Sequence, residues 1–391
     1  MLAVAHTLGA GTDASTSWMR VLLVVTGAPI VFLFIMRVLT PPAGPVFRRY
    51  RVTGITLESG SVCSFELAPA RRKRLPAPEP GQFVAVRADV PGAGPTTRNY
   101  SVSGTYKGHR LRISVKREPR GVMSEHLHAA LDTGSTIEIA GPQGRFVLGP
   151  HRTRPVVLIS AGIGVTPVLA MLHSLAADGS AREVWWIHCA RNGREHPFRA
   201  EARQLVTQLP NGQAHIRYSQ PDRRDVPGRD HDAEGRINAR ALVALGIPLD
   251  AEYRACGPRS FVADLRAGLC EAGVDVARIE SESFGGPPPK APVAPTPRPV
   301  AAAVSPGAPS VEFSRSRVTA AWEPRCASLL ELAEANGVTP AFGCRAGTCH
   351  GCHARILDGS VRHDPEPLEP APAGGALLCC AVPEGDVVLD A

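Results

Sequence analysis

A group of cysteines near the end of the 391-residue chain has the spacing of a metal-cluster site. Cys344, Cys349 and Cys352 form a C-x4-C-x2-C pattern in one loop, and the pair Cys379–Cys380 follows close to the C-terminus. Three thiolates from one loop and a fourth from a distant segment are the ligands of a plant-type 2Fe–2S cluster. The alternatives are zinc, whose sites usually combine two short C-x2-C units, and disulfides, which are typical of small secreted domains. The spacing favours the 2Fe–2S cluster.

A second group of side chains with binding chemistry lies in the segment Arg98-Asn99-Tyr100-Ser101. Tyr100 offers an aromatic face for a flavin ring, Arg98 offers a planar fork for a phosphate, and Ser101 offers a hydroxyl for a ring nitrogen. On alternating strand positions such side chains can line one pocket. The segment predicts a flavin site, although so short a pattern also fits an ordinary strand.

A glycine-rich turn follows an apolar segment further along the chain. Residues 156–160 read as a buried strand, the next residues form a turn with Gly162, Gly164 and Thr166, and residues 168–176 read as a helix. A strand, a glycine turn and a helix in this order place the pyrophosphate of a dinucleotide on the helix N-terminus. The turn therefore predicts a nicotinamide coenzyme site.

The elements that must position these residues fall into three predicted domains. Residues 46–150 contain short apolar alternations separated by Gly and Pro, which predicts an antiparallel β-barrel. Strands and helices alternate in residues 151–285, which predicts an α/β nucleotide-binding domain with a parallel sheet. Residues 286–310 are rich in Pro and Ala and predict a linker, and residues 311–391 form the cysteine-containing domain. The predicted fold class is multidomain α+β.

The barrel segment resembles the flavin domain of the ferredoxin–NADP reductase superfamily, most closely the reductase half of the flavohaemoglobins. The matching motifs are residues 80–83 (PGQF), 98–103 (RNYSVS), 115–119 (VKREP), 121–124 (GVMS) and 141–146 (GPQGRF). The resemblance implies that Arg98 meets the flavin pyrophosphate, Tyr100 stacks on the flavin and Ser101 approaches its N5 atom. It also implies that the turn from Gly121 to Ser124 leads a short helix whose amides hold the pyrophosphate.

The nucleotide-binding segment resembles the same superfamily. Its turn has that superfamily's own G-x-G-x-T-P form at Gly162, Gly164 and Thr166, and a later strand ends in Cys256-Gly257-Pro. The resemblance implies that Cys256 lies beside the nicotinamide C4 atom and that Gly257 allows a close approach. A buried thiol with a packing role is the alternative for Cys256.

The segment of residues 281–285 closes the nucleotide-binding domain. In the resembled family, a Glu and an aromatic residue at these positions lie next to the flavin and the nicotinamide. This implies that Phe284 covers the flavin ring until the nicotinamide displaces it, and that Glu282 orients groups or neutralises charge near N5. A plain strand end is the alternative for both residues.

Residues 311–391 resemble a plant-type ferredoxin domain along their whole length, which implies a β-grasp-like fold. The family places the fourth cluster ligand four residues before a proline. That proline is Pro383 in this chain. The resemblance therefore implies Cys379 as the fourth ligand and Cys380 as its neighbour.

The start of the chain predicts a membrane anchor. Residues 1–17 are small and polar without a structural pattern, and residues 18–39 contain a charge-free stretch between Arg20 and Arg37. With snorkelling arginines this segment reaches the roughly 20 residues that a spanning helix needs, and a buried segment is the alternative. By the positive-inside rule, the basic residues that follow place the later domains on the cytoplasmic side. We expect cytoplasmic domains anchored to the cytoplasmic membrane.

The formal net charge of +7 comes mainly from arginines scattered through the chain. No long basic run interleaved with aromatic residues occurs, so nucleic acid is not an expected partner. A basic face could dock an acidic electron-transfer partner. An Arg-rich composition without meaning for partners is the alternative.

Together the motifs predict an NAD(P)H-dependent reductase that passes electrons through a flavin and a 2Fe–2S cluster. The order of flavin, nucleotide and ferredoxin domains is similar to the reductase components that feed Rieske-type oxygenases. The flavohaemoglobin-like surroundings of the Gly121 turn favour FAD over FMN. An Ala-Arg-Asn context shared with flavohaemoglobins favours NADH, whereas Arg191 and Arg194 could bind the 2′-phosphate of NADPH.

The predicted acceptor is a terminal oxygenase, or a membrane-bound desaturase or hydroxylase if residues 18–39 span a membrane. One alternative is the reductase of a separate haem protein in nitric-oxide detoxification, for which no globin segment precedes the barrel. The other alternative is a redox sensor or interaction protein controlled by the state of the cluster. The intact flavin and nucleotide motifs argue against a sensor.

Overall fold

The structure of the chain is a computed structural model. It describes residues 46–119, 121–151, 153–284, 308–323, 326–342, 347, 351–364, 366–367 and 370–391. The predicted tail, the predicted membrane segment and residues 286–307 of the predicted linker lie outside the described residues. Within the described ranges, no helix combines the length and the apolar character needed to cross a membrane.

The first domain is an antiparallel sheet that closes into a barrel. Its elements are β1 (Arg48–Leu57), β2 (Val62–Pro69), β3 (Phe83–Val90), β4 (Gly94–Ser101), β5 (Leu111–Lys116), α1 (Val122–Ala130) and β6 (Thr136–Gln143). The strand order is β4-β3-β6-β1-β2-β5, and an isolated bridge between Val102 and Ile113 joins its two edges. Tyr50 and Val52 are fully buried while their neighbours in β1 are exposed, because successive side chains of a strand point to opposite faces.

The second domain is a parallel sheet with an apolar core on each face. Its strands are β7 (Val156–Ala161), β8 (Val184–Ala190), β9 (Gly212–Tyr218), β10 (Ala233–Glu234), β11 (Glu252–Pro258) and β12 (Ile279–Phe284). Its helices are α2 (Val165–Ala177), α3 (Arg199–Thr207), α4 (Ala239–Ala244) and α5 (Arg259–Glu271). The strand order is β10-β9-β8-β7-β11-β12. The chain adds β8, β9 and β10 on one side of β7, and then returns to add β11 and β12 on its other side, so the strand order reverses between β7 and β11. Open α/β sheets bind ligands at such a reversal.

The third domain is a mixed sheet covered by one helix. Its elements are β13 (Ser310–Phe313), β14 (Val318–Ala321), α6 (Leu329–Ala335), β15 (His353–Asp358), β16 (Val361–His363), β17 (Gly375–Leu377), β18 (Ala381–Pro383) and β19 (Val387–Leu389). The larger sheet has the order β14-β13-β19-β15-β17, in which β13 and β19 are parallel. Ser328 begins α6 by accepting a hydrogen bond from the backbone N–H of Glu331. The predicted multidomain α+β class with one antiparallel and one parallel sheet is confirmed.

A stack of buried rings lies behind the ends of β8 and β9. The ring centroids of His188 and His196 are 4.8 Å apart, and Nδ1 of His196 lies 2.9 Å from the hydroxyl of Tyr218. The hydroxyl of Ser160 lies 2.8 Å from Nδ1 of His188. Burial lowers the pKa of His188 to about 3, and burial with the neighbouring His188 lowers the pKa of His196. Both imidazoles are therefore neutral at neutral pH.

We expect the nucleotide-binding domain to lose stability as the pH falls below about 6.5, where histidines of the unfolded chain become protonated. The stabilisation from His188 and His196 is complete above that pH and is lost as the pH falls toward their lower folded pKa values. For each imidazole that stays neutral in the folded chain, the free energy of unfolding falls by about 1.4 kcal/mol for each unit by which the pH decreases in this range. Urea denaturation at pH 7.5 and pH 5.5 measures the difference. His188→Asn should reduce this difference in the free energy of unfolding. His151→Asn, at a half-exposed side chain, is the control and should leave the difference unchanged. Equal pH dependence in both variants would show that buried His188 is not the cause.

Candidate functional site

Strand β4 carries the predicted flavin residues. Arg98 and Tyr100 lie on one face of the strand, and Asn99 and Ser101 lie on the other, so the three predicted side chains do not share one face. Arg98 is exposed, and Tyr100 is half-buried against the barrel core. Burial raises the pKa of the Tyr100 phenol, although the charge of Arg98 opposes the shift. The phenol is therefore neutral, and its ring is available as a flat apolar surface.

The other face of β4 carries buried polar atoms without hydrogen-bond partners. Both amide atoms of Asn99 and the hydroxyl of Ser101 are buried, and none of them forms a hydrogen bond within the part of the chain that the structure describes. Buried polar groups are normally hydrogen-bonded, so these atoms are available to partners on a bound molecule. The nitrogen and oxygen atoms of a flavin ring have the right chemistry. Asn99 was not among the residues predicted from the sequence, where its one signal is its place inside the Arg-x-Tyr-Ser pattern.

The predicted phosphate turn begins helix α1. No side chain caps this helix at Gly121, so the first backbone amides of α1 remain available to an anion. The hydroxyl of Ser124 donates to the carbonyl of Gly121 at 3.0 Å and accepts from the backbone N–H of Glu118 at 3.1 Å. A Cβ atom at Gly121 would lie 2.4 Å from that hydroxyl. The Ser124 hydroxyl is occupied by these two hydrogen bonds within the turn. The backbone amides at the start of α1 are therefore the groups suited to bind a pyrophosphate.

The predicted coenzyme turn packs directly on the end of β11. The backbone between β7 and α2 forms a short 3-10 turn that starts at Gly162, where φ is +56°. A Cβ atom at Gly164 would lie 2.3 Å from the carbonyl oxygen of Cys256. The hydroxyl of Thr166 donates to the carbonyl of Ile163 at 3.0 Å and holds the turn. The absence of a side chain at Gly164 therefore brings the turn and Cys256 into one site.

The end of the parallel sheet brings together the predicted nicotinamide residues. The register of β11 and β12 pairs Cys256 with Glu282, and Phe284 follows at the same end. Burial, followed by the charge of Glu282, raises the pKa of the Cys256 thiol, so the sulfur is uncharged at neutral pH. Phe284 is partly buried against the apolar core that contains Cys256. Gly257 is closely packed, since a Cβ atom there would lie 2.8 Å from a phenylalanine ring.

Two of the four predicted cluster ligands are described, and they lie together. The backbone N–H of Cys379 lies 3.5 Å from the Sγ atom of Cys352, and the backbone N–H of Gly347 lies 3.3 Å from the Sγ atom of Cys379. Amide donors that point at sulfur stabilise thiolates in a cluster, so these residues fit one. Cys344 and Cys349 lie outside the described residues. Within the described residues, no three His, Cys, Asp or Glu side chains form a metal-holding group, and the four ligands stay a prediction.

The neighbour of Cys379 has a packing role in this arrangement. Cys380 is buried, and its thiol donates to the carbonyl of Leu377 at 3.5 Å. A Cβ atom at Gly347 would lie 2.8 Å from the sulfur of Cys380, so Gly347 packs against Cys380 while the sulfur of Cys379 faces the backbone N–H of Gly347. The backbone N–H of Leu377 donates to Nε2 of His363 at 3.1 Å. The sequence analysis missed His363, because nothing in the local sequence marks this contact.

An arginine-rich cavity of about 620 Å³ lies at the ends of β8 and β9. Five arginines and three aspartates contribute to its lining. Three of the arginines are paired with Asp222 or Asp230 at distances of 2.9 to 3.7 Å. Arg223 and Arg224 have no ion-pair partner among the described residues. The cavity includes Arg194, which the sequence analysis considered for a 2′-phosphate, but it does not include Arg191.

Three family models match the chain in the order of the observed domains. The oxidoreductase FAD-binding domain matches residues 50–148, the oxidoreductase NAD-binding domain matches residues 158–267, and the 2Fe-2S iron-sulfur cluster binding domain matches residues 311–384. The predicted cofactors FAD, NAD and a 2Fe–2S cluster are confirmed at the level of these domains. The class of protein is an NAD(P)H-dependent flavoprotein oxidoreductase.

Known proteins and solved structures that are similar to this chain contain flavin and nucleotide domains of the same kind. The flavohemoprotein of Chromobacterium violaceum is 40% identical over 62% of this chain and 61% of its own length. The flavohem-like FAD/NAD-binding domain of nitric oxide dioxygenase from Vibrio cholerae is 34% identical with a TM-score of 0.55, over 61% of this chain and 99% of that domain. Phthalate dioxygenase reductase shares the fold at 22% identity and a TM-score of 0.59, over 88% of this chain and 98% of that one. The chain spans about 60% of the length of the curated relatives that it matches.

The chain therefore belongs to the ferredoxin–NADP reductase superfamily, with flavohaemoglobin-like flavin and NAD domains joined to a C-terminal plant-type 2Fe–2S domain.

Replacing Ser101 by Ala should have opposite effects on the apoprotein and on the loaded protein. In the apoprotein the change removes a buried hydroxyl without a partner, so the free energy of unfolding should stay the same or rise by about 1 kcal/mol. In the FAD-loaded protein it removes a donor beside the flavin, and anaerobic flavin reduction should slow about 10- to 100-fold.

Ser64→Ala is the matched control for Ser101→Ala. The hydroxyl of Ser64 is also buried, but it is bonded to the hydroxyl of Ser114 at 2.7 Å. This variant should destabilise the apoprotein by about 1 kcal/mol and change the rate of flavin reduction far less than Ser101→Ala does. Thermal unfolding and stopped-flow absorbance measure the two effects. A clearly destabilised Ser101→Ala apoprotein would show that the hydroxyl is satisfied by the protein itself.

Arg223 and Arg224 should discriminate between the two coenzymes. A 2′-phosphate in the cavity would gain charge-assisted hydrogen bonds from guanidinium groups that form no ion pair within the described ranges. The double Ala variant at these positions should raise the KM for NADPH about tenfold and change the KM for NADH less than about twofold. The double variant Arg236→Ala/Arg240→Ala, at exposed positions outside the cavity lining, is the control. Equal losses with both coenzymes would mean that the cavity does not read the 2′-phosphate.

Proposed function

We propose that the chain is the reductase of an oxygenase-type electron-transfer system, which takes hydride from NADH onto FAD and passes single electrons through the 2Fe–2S cluster to a separate acceptor. The observation that carries this proposal is the presence of all three binding domains on one chain. When bound, the flavin supplies the conversion of a hydride into two single-electron transfers. Phthalate dioxygenase reductase, by its name the reductase of a dioxygenase, has the same fold over 88% of this chain.

The side chains of the barrel bind and orient the flavin in this proposal. The guanidinium of Arg98 and the amides of α1 would hold phosphate groups, and the ring of Tyr100 would offer its face to the flavin. Asn99 and Ser101 donate and accept hydrogen bonds at the ring, which satisfies their buried atoms. A hydrogen bond that is aimed at the developing charge of the hydride acceptor lowers the barrier to transfer.

The residues at the end of the parallel sheet orient the coenzyme. The backbone of the Gly162 turn and the amides of α2 hold the pyrophosphate. The neutral thiol of Cys256 provides a soft surface for the nicotinamide ring without adding charge. Phe284 covers the site, which excludes water until the coenzyme arrives. Glu282, buried beside Cys256, supplies a carboxylate near the ring.

The charge distribution along the chain indicates what kind of acceptor the cluster domain meets. Residues 311–391 contain six arginines, no lysine and eleven acidic residues, although the whole chain has a net charge of +7. The acidic cluster domain is therefore attracted to the basic flavin and nucleotide domains. An acceptor that takes their place at the cluster should present a basic surface. This proposal replaces the acidic partner that the net charge of the whole chain suggests.

The acceptor that we propose is a terminal oxygenase, and a membrane-bound desaturase or hydroxylase if residues 18–39 anchor the chain. The anchor is part of the proposal, and it rests on the charge-free stretch between Arg20 and Arg37. Fractionation of cells that express the full chain tests it. Recovery with the membranes, with release by detergent and not by salt, supports an anchor and the membrane-bound acceptors.

Anaerobic titration of the full chain with NADH tests the electron route. We expect bleaching of the flavin followed by the rhombic EPR signal of a reduced 2Fe–2S cluster. Cluster reduction should slow when the ionic strength rises from 0.01 M to 1 M, because the Debye length falls from about 30 Å to about 3 Å. Flavin bleaching should change much less, since it takes place between two domains that are joined by direct hydrogen bonds.

Two cysteine variants are the controls for this titration. Cys379→Ala should lose the EPR signal and keep flavin bleaching, whereas Cys380→Ala should keep both, because Cys379 and not Cys380 faces the loop amide of Gly347. Bleaching without any EPR signal, in protein shown to contain iron and sulfide, would refute internal electron transfer to the cluster.

The flavohemoprotein relatives favour a second candidate function, the reduction of a separate haem protein. The two functions differ in the final acceptor and share the earlier steps. NADH-reduced chain mixed with a ferric globin or with a Rieske-type oxygenase distinguishes them. Faster reoxidation by the globin would favour the haem protein as acceptor.

A further inference from the structure

One arginine bridges the barrel and the nucleotide-binding domain. The Nη1 and Nη2 atoms of Arg112, on β5, donate to the two carboxylate oxygens of Glu201 at 3.0 and 2.7 Å. The Nε and Nη2 atoms donate to the hydroxyl and the carbonyl oxygen of Ser103 at 3.2 and 2.5 Å. The guanidinium carbon lies 5.0 Å from the ring centroid of Phe198. Two parallel hydrogen bonds to one carboxylate fix direction as well as distance.

The two ends of this bridge lead to the two halves of the candidate site. Ser103 lies two residues beyond Ser101 of the flavin strand. Glu201 lies in the first turn of α3, and its Oε1 atom is 2.5 Å from Nε2 of His173 in α2. Helix α2 is the helix that the coenzyme turn opens. An unbroken row of contacts therefore joins the flavin strand to the coenzyme helix through Arg112.

The electrostatic surroundings keep this bridge charged. Burial raises the pKa values of Glu58 and Glu66, and the charge of Arg112 is among the effects that oppose the rise. Burial would also raise the pKa of Glu201, but hydrogen bonds from His173 and Arg112 lower it below its usual range. Glu201 is therefore ionised at neutral pH. Its partner is 13% exposed, so water competes weakly for the pair.

Other contacts join the two domains without this bridge. At the β1–β2 turn, the backbone N–H of Gly60 donates to the carbonyl of Arg194 at 3.0 Å. The hydroxyl of Ser61 donates to the carboxylate of Glu195 at 2.6 Å. These contacts would keep the domains together without Arg112. Loss of Arg112 would then change their relative angle and leave them joined.

We propose that Arg112 is a positioning residue for hydride transfer, which sets the distance between the coenzyme helix and the flavin strand. Hydride donor and acceptor must approach to about 3 to 3.5 Å, and a misplacement of about 1 Å costs about 100-fold in rate. A bidentate guanidinium supplies the required precision, which a lysine at the same position cannot supply. This inference rests on the proposed reduction of the flavin by NADH, and it is independent of the acceptor.

A double-mutant cycle tests the proposal. Arg112→Ala, Glu201→Ala and the double variant are compared by anaerobic stopped-flow bleaching of the flavin with NADH, without any acceptor protein. Each single variant should slow bleaching about 10- to 100-fold, and the double variant should be no slower than the slower single variant, because both residues act through one contact. Arg112→Lys should recover part of the rate. Losses that multiply in the double variant would overturn the proposal.

Readouts other than rate separate positioning from general damage. FAD content and NAD⁺ affinity should stay close to those of the parent chain, while hydrogen exchange of the Ser103 amide should increase. Arg87→Ala is the control, because it breaks a partly exposed arginine–glutamate pair of 2.8 Å within the barrel domain and should leave the bleaching rate unchanged. If Arg112→Ala does not fold, Glu201→Gln removes the charge with the same shape.

Three outcomes count against the proposal. The first is a loss of bleaching rate in Arg112→Ala that merely follows the release of FAD. The second is an Arg87→Ala variant that bleaches as slowly as Arg112→Ala. The third is a Glu201→Gln variant that bleaches at the rate of the parent chain. If NADH does not bleach the flavin of the parent chain, the proposed function itself would instead be refuted. The two failures are therefore distinguishable in one set of measurements.

Discussion

The close approach of the backbone at Gly164 to the carbonyl of Cys256 is the constraint on which the nucleotide site depends. The clearance of 2.3 Å for a Cβ atom leaves room for glycine alone. This approach seats the coenzyme turn against β11 and directs helix α2 across the sheet. The position of α2 in turn sets where His173 meets Glu201. Because Glu201 also binds Arg112 of the barrel, it sets where the nucleotide-binding domain meets the barrel.

The barrel is complete as a fold but incomplete in its hydrogen bonding. Its apolar core is continuous, whereas Asn99 and Ser101 keep buried polar atoms that no described residue satisfies. A bound ring that supplies these partners would contribute to stability as well as to chemistry, since binding to the folded state alone stabilises it. Flavin binding and folding of the barrel are therefore linked.

The two electron-transfer steps place different demands on the chain, and it meets them with different interactions. Hydride transfer requires a fixed geometry, and short directional contacts such as the Arg112–Glu201 pair provide it. In the proposed function, transfer from the cluster requires encounters with more than one partner. The opposite net charges of residues 311–391 and of the rest of the chain would supply a long-range attraction for such encounters. A reductase that serves a separate acceptor needs both kinds of interaction.

The sequence by itself determined the features that arise from neighbouring residues: the glycine turns at Gly121 and Gly162, the cysteine spacing, the strand and helix pattern and the domain order. Backbone conformation depends mainly on residues close in sequence, so motifs report it. Only the tertiary structure decided which distant side chains meet. Asn99 was identified by its missing partners, Arg112 by its contact with Glu201, and Arg223 with its neighbour by the lack of an ion pair. Such contacts depend on how strands and helices far apart in the chain pack, and no local pattern encodes them.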